Sequence, residues 1–252
     1  MDRRDFVKAL AAAAACPLCA GAARAAEAGP HWSYEGATGT RNWGRLSSGF
    51  RACATGTRQS PLDIVEPIRA DLPALAIDYR GGVAELVNNG HTIQANMAKG
   101  STLSAGKQRY DLIQFHFHHP GEHQIDSKSF AMECHFVHAD SAGALGVLGV
   151  LMVEGAANPA FAGIVELMPK KEGVAKTGLG GIDPKALLPA GRAYYRYSGS
   201  LTIPPCSEEV DWMLFADTIT VAASDIAEFA TLYKMNARPA QKGFRRFVLQ
   251  SM

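Results

Sequence analysis

Two histidine-containing segments of this sequence could bind a metal ion. Residues 112–118 read LIQFHFH, and because side chains alternate along a β-strand, His116 and His118 project from one face. Residues 130–138 read FAMECHFVH and carry His135 on a second strand. If the two strands pair antiparallel across the 120–129 loop, His135 completes a cluster of three imidazoles. Three histidines without cysteine or carboxylate suit Zn²⁺, and they leave a fourth tetrahedral position for water, as in catalytic zinc sites.

Hydrogen-bond acceptors accompany these histidines. Gln114 lies two residues before His116 and Glu133 two residues before His135, so each shares a face with its histidine. Metal-binding imidazoles generally donate their second N–H to an oxygen, and these side chains could accept it. The alternative is a polar strand face open to water, which would need chance to place both acceptors.

The remaining histidines of this region have simpler interpretations. A lone buried histidine is usually a hydrogen-bonded core residue, and we predict that role for His123 and His138. His119 alternates to the opposite side of its strand and is a weaker ligand candidate.

The elements that must position the cluster are predominantly strands. Short apolar or alternating runs separated by Gly, Asn, Asp and Pro predict strands at 75–79, 83–88, 92–95, 112–118, 132–138, 145–154, 201–203, 210–215 and 218–221. Helical periodicity is confined to 159–167, 183–187 and 224–235, with Ser224 as the expected N-cap. No linker or internal repeat divides the chain, so we expect one mainly β domain with peripheral helices.

Composition and charge limit the possible partners. The 252 residues include 25 Lys+Arg and 24 Asp+Glu, a formal net charge of +1, with no long basic run. This balance gives no electrostatic reason to expect a nucleic-acid partner. The open metal position instead favours a small-molecule substrate, and a homodimer is possible.

The N-terminal residues 1–25 are typical of an export signal. Arg3 and Arg4 precede an uncharged run from 9 to 23, which is too short to span a membrane, and Ala23-Arg24-Ala25 suits a signal peptidase. The paired arginines resemble a twin-arginine signal; an ordinary secretory leader or a lipoprotein anchor at Cys16 are the alternatives. We therefore predict a periplasmic or secreted domain at 26–252, with a net charge of −1 after cleavage.

Eight motifs, in order from residue 31 to residue 241, resemble those of the α-class carbonic anhydrases. They are HWSYEG (31–36), QSPLDI (59–64), NNGH (88–91), QFHFH (114–118), EH (122–123), ECHFVH (133–138), GSLTIPP (199–205) and NARPAQ (236–241). The resemblance implies a zinc lyase that hydrates carbon dioxide reversibly to bicarbonate and a proton. It also implies one large, mostly antiparallel, twisted sheet with the metal at the bottom of a conical cleft.

The resemblance also implies a role for each site residue. His116, His118 and His135 would hold Zn²⁺, with Gln114, Glu133 and Asn236 in the shell around them. Thr202 would accept a hydrogen bond from the attacking hydroxide and donate its own to Glu122. His91 would carry the proton to buffer, which suits an imidazole with an ordinary pKa near 6.5.

The implied carbon dioxide pocket is apolar, as a small uncharged substrate requires. Its residues would be Val137, Val147, Leu201, Thr202, Ile203 and Trp212. Ile203 departs from the family, where a threonine is usual; it adds bulk and removes a hydroxyl, which puts turnover and anion affinity in doubt. His119 replaces a common tryptophan, which is a lesser departure.

Three cysteines remain after residue 25, enough for one disulfide and one free thiol. The resemblance assigns the bridge to Cys53 and Cys206, next to the Thr202 segment. Cys134 alternates to the core face and is expected to be an inert thiol.

Two other function classes use the same residues. A zinc hydrolase acting on esters would use the same nucleophile, and an inactive binding module would be expected if a zinc histidine were lost. All three histidines are present, which disfavours the module.

Overall fold

One large twisted sheet organises the chain. The computed structural model describes residues 30–80, 82–179 and 181–252; the predicted signal at 1–25 lies outside the described residues. The strands described are β1 Asp63–Ile64, β2 Ile68–Ala70, β3 Leu75–Asp78, β4 Val83–Asn88, β5 Ile93–Met97, β6 Thr102–Ala105, β7 Gln108–His118, β8 Gln124–Ile125, β9 Met132–Ala139, β10 Leu145–Glu154, β11 Ala175–Leu179, β12 Tyr194–Ser200, β13 Glu208–Phe215, β14 Ile219–Val221 and β15 Leu249–Ser251.

Thirteen of these strands form the sheet. Its main path runs β11-β4-β5-β7-β9-β10-β13-β12-β15-β2, while β14 pairs with β10, β3 with β6, and β6 with β7. Most neighbours are antiparallel; the parallel pairs of this sheet are β10–β13, β10–β14 and β15–β2. The strands β1 and β8 form a separate parallel pair. The predicted fold class, a mostly antiparallel sheet, is confirmed.

Short helices lie around the sheet. The α-helices are α1 Trp43–Leu46, α2 Ala52–Thr55, α3 Pro159–Leu167 and α4 Ala223–Ala230, and the 3₁₀ helices are Gly36–Thr38, Ser48–Phe50 and Pro184–Leu187. Asn158 caps α3 by accepting hydrogen bonds from the N–H groups of Ala160 and Phe161. None of the helices within the described ranges is long and apolar enough to cross a membrane.

The central strands β7 and β9 separate two environments. Phe115, Phe117, Cys134 and Phe136 point to one side, into the main apolar core, where Phe117 also packs against Phe161 of α3. The alternate residues of both strands point to the other side. The hydrophobic effect therefore fixes which face of each strand is turned away from the core, and that face carries the histidines.

Several predicted elements match the structure, and some were wrong. The bounds of β4, β10 and α3 agree with the sequence analysis. No strand forms at 201–203, because β12 ends at Ser200 and the prolines at 204 and 205 cannot donate to a sheet. Ser224 is not an N-cap: α4 begins at Ala223, after Ala222, and ends at Ala230. The segment 183–187 forms a 3₁₀ helix capped by the Asp183 side chain.

Candidate metal centre

Three imidazoles converge on the face of β7 and β9 that is turned away from the core. His116 and His135 are direct partners in the antiparallel register, and His118 follows two residues along β7. The ring centroids lie 5.0 Å apart for His116 and His118, 5.3 Å for His116 and His135, and 4.5 Å for His118 and His135. One nitrogen of each ring lies within 4.8 Å of the other two. The predicted cluster therefore forms.

Hydrogen bonds fix the orientation of the two rings on β7. His116 Nδ1 donates to Gln114 Oε1 at 2.9 Å, as the parity of the strand predicted. His118 Nδ1 donates to the backbone carbonyl of Asn236 at 2.7 Å. A carbonyl oxygen can only accept, so each Nδ1 carries the proton and each Nε2 presents a lone pair to the cluster.

Glu133 fixes the third ring. Its Oε1 accepts from His135 Nε2 at 2.8 Å and from His123 Nδ1 at 2.6 Å, and its Oε2 accepts from the backbone N–H groups of Glu122 and His123. Burial would raise the pKa of Glu133, but the imidazoles of His123 and His135, which also donate to it, hold it well below its usual range. An ionised carboxylate accepts only, so His135 donates through Nε2 and its Nδ1 lone pair faces the centre.

The environment of the three rings keeps them neutral, which is the protonation state that binds a metal ion. Burial lowers the pKa of His118 to about 4 and holds that of His116 well below its usual range, and it also lowers the pKa of His135. His118 Nε2 is buried and has no hydrogen-bond partner among the residues that the structure describes. An orphaned buried acceptor is costly unless something binds it, and three neutral imidazoles suit Zn²⁺. The residues present therefore fit the metal.

A second group of possible ligands is better explained by hydrogen bonding. His123, Glu133 and His135 are close enough to hold a metal. Their short contacts are hydrogen bonds, however, in which both imidazoles donate a ring N–H to the Glu133 carboxylate. His123 Nε2 lies 2.6 Å from the Tyr197 hydroxyl, so both ring nitrogens are satisfied. The prediction of a core role for His123 is confirmed. His138 is likewise buried between the Tyr79 hydroxyl and the Gly146 carbonyl.

Glu122 lies beside the cluster. Its Oε1 is 3.5 Å from His118 Nδ1, and its Oε2 is 3.9 Å from His135 Nδ1. Burial raises the pKa of Glu122 to about 7, although His135 and the hydroxyl of Thr202 both lower it. Thr202 is buried as well. The structure thus brings the two predicted polar residues together next to the histidines.

An apolar cluster borders His135. Val137, Val147, Leu201 and Trp212 are buried in it together. The Trp212 ring centroid is 4.9 Å from that of His135. Ile203 is partly buried and packs against a different cluster, the one around Trp43 and Cys206.

His91 lies in a turn away from the three histidines. Its ring stacks on Trp32 with centroids 3.7 Å apart and an angle of 8° between planes. Its carbonyl accepts from Asn236 Nδ2 at 2.9 Å, so one residue contacts both His91 and His118. Burial, and to a smaller extent the nearby His31, lowers the pKa of His91 to about 4.

The predicted disulfide is present. Cys53 and Cys206 are bonded, and Cys134 is a buried free thiol in the core. His119 stays outside the cluster and donates from Nδ1 to the Lys234 carbonyl.

Sequence reasoning missed the importance of Arg238. Its backbone N–H donates to Glu122 Oε1 at 2.8 Å, and its guanidinium is buried. It belongs to the motif at 236–241, but an arginine is usually an exposed residue, and nothing in its neighbours marked it as buried.

Comparisons with known proteins agree with this geometry. The family model described as eukaryotic-type carbonic anhydrase matches residues 38–251. A carbonic anhydrase of Pectobacterium carotovorum is 41% identical over 84% of this chain and 87% of its own length, and one of Nostoc sp. is 38% identical over 88% and 86%. The solved structure of an α-carbonic anhydrase from Thermovibrio ammonificans, in complex with the inhibitor sulfanilamide, superposes with a TM-score of 0.86. It is 39% identical and covers 88% of this chain and 99% of its own.

Proposed function

Since this chain belongs to the eukaryotic-type, or α-class, carbonic anhydrase family, we propose that it hydrates carbon dioxide reversibly to bicarbonate and a proton at a zinc site. The observation that carries the proposal is the convergence of three neutral imidazoles, each with one nitrogen within 4.8 Å of the other two; His118 and His135 are buried and His116 is half-buried. His116, His118 and His135 would hold the metal. Zn²⁺ at such a site would lower the pKa of a bound water, and so would supply a hydroxide nucleophile near neutral pH.

The residues that accept hydrogen bonds from the three histidines keep each ring neutral and fix its orientation. Gln114, Glu133 and Asn236 each accept one ring N–H, which leaves the opposite nitrogen of that ring as a lone pair. Such partners typically change metal affinity by about 10–100-fold when they are removed. Glu133 is further held by His123, so its carboxylate cannot turn away from His135.

Thr202 and Glu122 would orient the nucleophile. The Thr202 hydroxyl lowers the pKa of Glu122 and would donate to its carboxylate, which accepts hydrogen bonds and cannot donate them when ionised. The hydroxyl proton of Thr202 would then point to Glu122, and its oxygen would be left to accept from the nucleophile. This directs the nucleophile's lone pair towards the substrate carbon.

The buried apolar cluster beside His135 would hold carbon dioxide. The substrate is uncharged and small, so an apolar wall of Val137, Val147, Leu201 and Trp212 suits it better than charged groups. Ile203 would border the cleft from the neighbouring cluster rather than line this pocket.

His91 would pass the released proton to solvent. Stacked on Trp32, its ring is partly dehydrated and its pKa is about 4. A ring with this pKa accepts a proton poorly at neutral pH, so transfer is favoured when the ring is better hydrated. Asn236 Nδ2 donates to the His91 carbonyl and so ties the His91 backbone to the residue that also accepts from His118.

Zinc analysis and stopped-flow carbon dioxide hydration on residues 26–252 test the proposal. We expect one zinc per chain and hydration activity in the wild-type protein. His116→Ala, His118→Ala and His135→Ala should each lose both. His119→Ala is the matched control, since this histidine adjoins His118 but lies outside the cluster. Retention of zinc and activity in all three ligand variants would contradict the site, and ester hydrolysis without carbon dioxide hydration would favour the hydrolase.

We also propose that the protein is exported. Residues 1–25 have the pattern of a twin-arginine signal, and the Cys53–Cys206 disulfide is consistent with an oxidising compartment. Fractionation of cells that express the full chain should place residues 26–252 in the periplasm or medium. Homodimerisation stays a prediction, which light scattering of the purified domain tests.

A further inference from the structure

The segment 201–206, here called the Thr202 loop, is held at both ends. At its start, Ser200 and Ser60 exchange two hydrogen bonds: Ser60 N–H donates to Ser200 Oγ at 2.9 Å, and Ser200 N–H donates to Ser60 Oγ at 3.1 Å. At its end, Cys206 is bonded to Cys53. Gln59 Nε2 also donates to the Cys206 carbonyl at 3.0 Å. Ser60 and Cys53 are thus two anchors of the Thr202 loop, and both are distant from it in sequence.

One side chain contacts both anchors. Arg238 Nη1 donates to the Ser60 carbonyl at 2.8 Å, and Arg238 Nη2 donates to the Cys53 carbonyl at 3.1 Å. The backbone N–H of the same residue donates to Glu122 Oε1 at 2.8 Å. Arg238 thus joins both supports of the Thr202 loop to the carboxylate that lies beside Thr202.

Burying the Arg238 side chain costs free energy, which indicates that its contacts contribute to the structure of the site. Arg238 is 2% exposed, its guanidinium lies 5.6 Å from the Trp43 ring centroid, and its terminal nitrogens bind backbone carbonyls rather than carboxylates. Burial lowers the pKa of Arg238 to about 10, and the nearby Glu122 raises it. A buried charge is expensive unless its hydrogen-bonding capacity is used, and a planar guanidinium can bind two carbonyls at a fixed spacing.

We propose that Arg238 is a positioning residue that sets the placement of Thr202 relative to Glu122, and that the disulfide acts on the site through the same side chain. The proposal rests on the proposed function for its kinetic consequences. Arg238 would not touch substrate or metal. Its effect would reach the reaction through the hydroxyl of Thr202 and the carboxylate of Glu122.

Arg238→Lys tests this, because lysine keeps the charge but loses the planar fork that binds two carbonyls. Arg192→Lys is the matched control: Arg192 Nη1 also donates to backbone carbonyls, those of Pro189 and Gly191, which belong neither to the Thr202 loop nor to its supports. For both variants we would measure zinc content, carbon dioxide hydration kinetics, and amide hydrogen exchange of residues 200–206 by mass spectrometry.

We expect Arg238→Lys to keep one zinc per chain and to lower kcat/KM on the order of tenfold, as displaced catalytic groups do. Exchange at 200–206 should accelerate, while Arg192→Lys leaves it unchanged. In a Thr202→Ala background, Arg238→Lys should lower kcat/KM less than about twofold further, because the residue it positions is gone. Multiplicative effects of the two substitutions, or wild-type exchange at 200–206, would overturn the proposal.

A second variant keeps the proposal falsifiable if Arg238→Lys does not fold. The double variant Cys53→Ala/Cys206→Ala retains Arg238 but releases the end of the Thr202 loop. We expect zinc to be kept, exchange at 200–206 to rise more than exchange in the strands of the core, and kcat/KM to fall; a rise at 200–206 no larger than in those strands overturns the proposal. If the wild-type protein fails to hydrate carbon dioxide, the proposed function fails, whereas the exchange measurements still decide whether Arg238 and the disulfide hold the loop.

Discussion

Removing the Cys53–Cys206 disulfide should lower the stability of this domain substantially. The bond closes a loop between residues 153 positions apart. Chain-entropy models give about 5 kcal/mol for a loop of this length, because the cross-link restricts the unfolded chain. For a domain of this size, each kcal/mol shifts the melting temperature by about 2–4 °C. We therefore expect the Cys53→Ala/Cys206→Ala variant of residues 26–252 to melt about 10–20 °C below the wild-type protein.

Differential scanning calorimetry measures this shift, and Cys134→Ala is the control. Cys134 is a buried free thiol in the core, so its replacement removes a sulfur atom but no cross-link. It should cost about 1 kcal/mol, from a small cavity, and lower the melting temperature by only a few degrees. Chemical reduction of the wild-type protein should reproduce the larger shift.

Thiol counting checks the premise of this prediction. In denaturant without reductant, residues 26–252 should show one reactive thiol, that of Cys134, and three after reduction. A melting temperature within a few degrees of the wild-type value in the double variant, with the disulfide intact in the wild type, would refute the loop-entropy reasoning. Three thiols before reduction would refute the bridge itself.

Three further predictions concern the site and the core. Glu122→Gln and Thr202→Ala should keep one zinc per chain and lose most hydration activity, because they alter orientation rather than ligation; wild-type rates in either would contradict the assigned pair. His91→Ala should lower kcat in weak buffer, leave kcat/KM nearly unchanged and respond to added imidazole; an equal fall in both parameters without rescue would show a structural role. Burial lowers the pKa of His138 to about 4, so between pH 6.5 and 4 the unfolded chain binds the extra proton and stability falls as pH falls. Urea unfolding at pH 7 and pH 5 should show about 2 kcal/mol of this loss, which His138→Gln should lack.

The metal cluster could be predicted from the sequence because it depends on strand parity. A period of two places His116 and His118 on one face, and the apolar residues Phe115 and Phe117 between them must face the core. The pairing of His116 with His135 followed once the two strands were taken as antiparallel neighbours. The acceptors Gln114 and Glu133 were predictable by the same parity.

The supports of the Thr202 loop were not predictable in this way. Ser60 and Ser200 are 140 residues apart, and their reciprocal hydrogen bonds depend on how distant segments meet. Arg238 belongs to a segment without periodicity, so its burial follows from tertiary packing alone. Ser224 shows that residue type alone misplaced a helix start: a serine favours the N-cap position, but it lies inside α4, whose N-cap is Ala222.

Reconstitution with zinc tests the central claim most directly. The purified domain would be stripped with a chelator, titrated with Zn²⁺ and assayed for carbon dioxide hydration by stopped flow at each addition. If His116, His118 and His135 form the catalytic metal site, activity should be absent from the stripped protein and rise linearly to a plateau at one Zn²⁺ per chain, while His116→Ala stays inactive throughout. Full hydration activity in the metal-free protein, or a rise in the His116→Ala variant equal to that of the wild type, would contradict it.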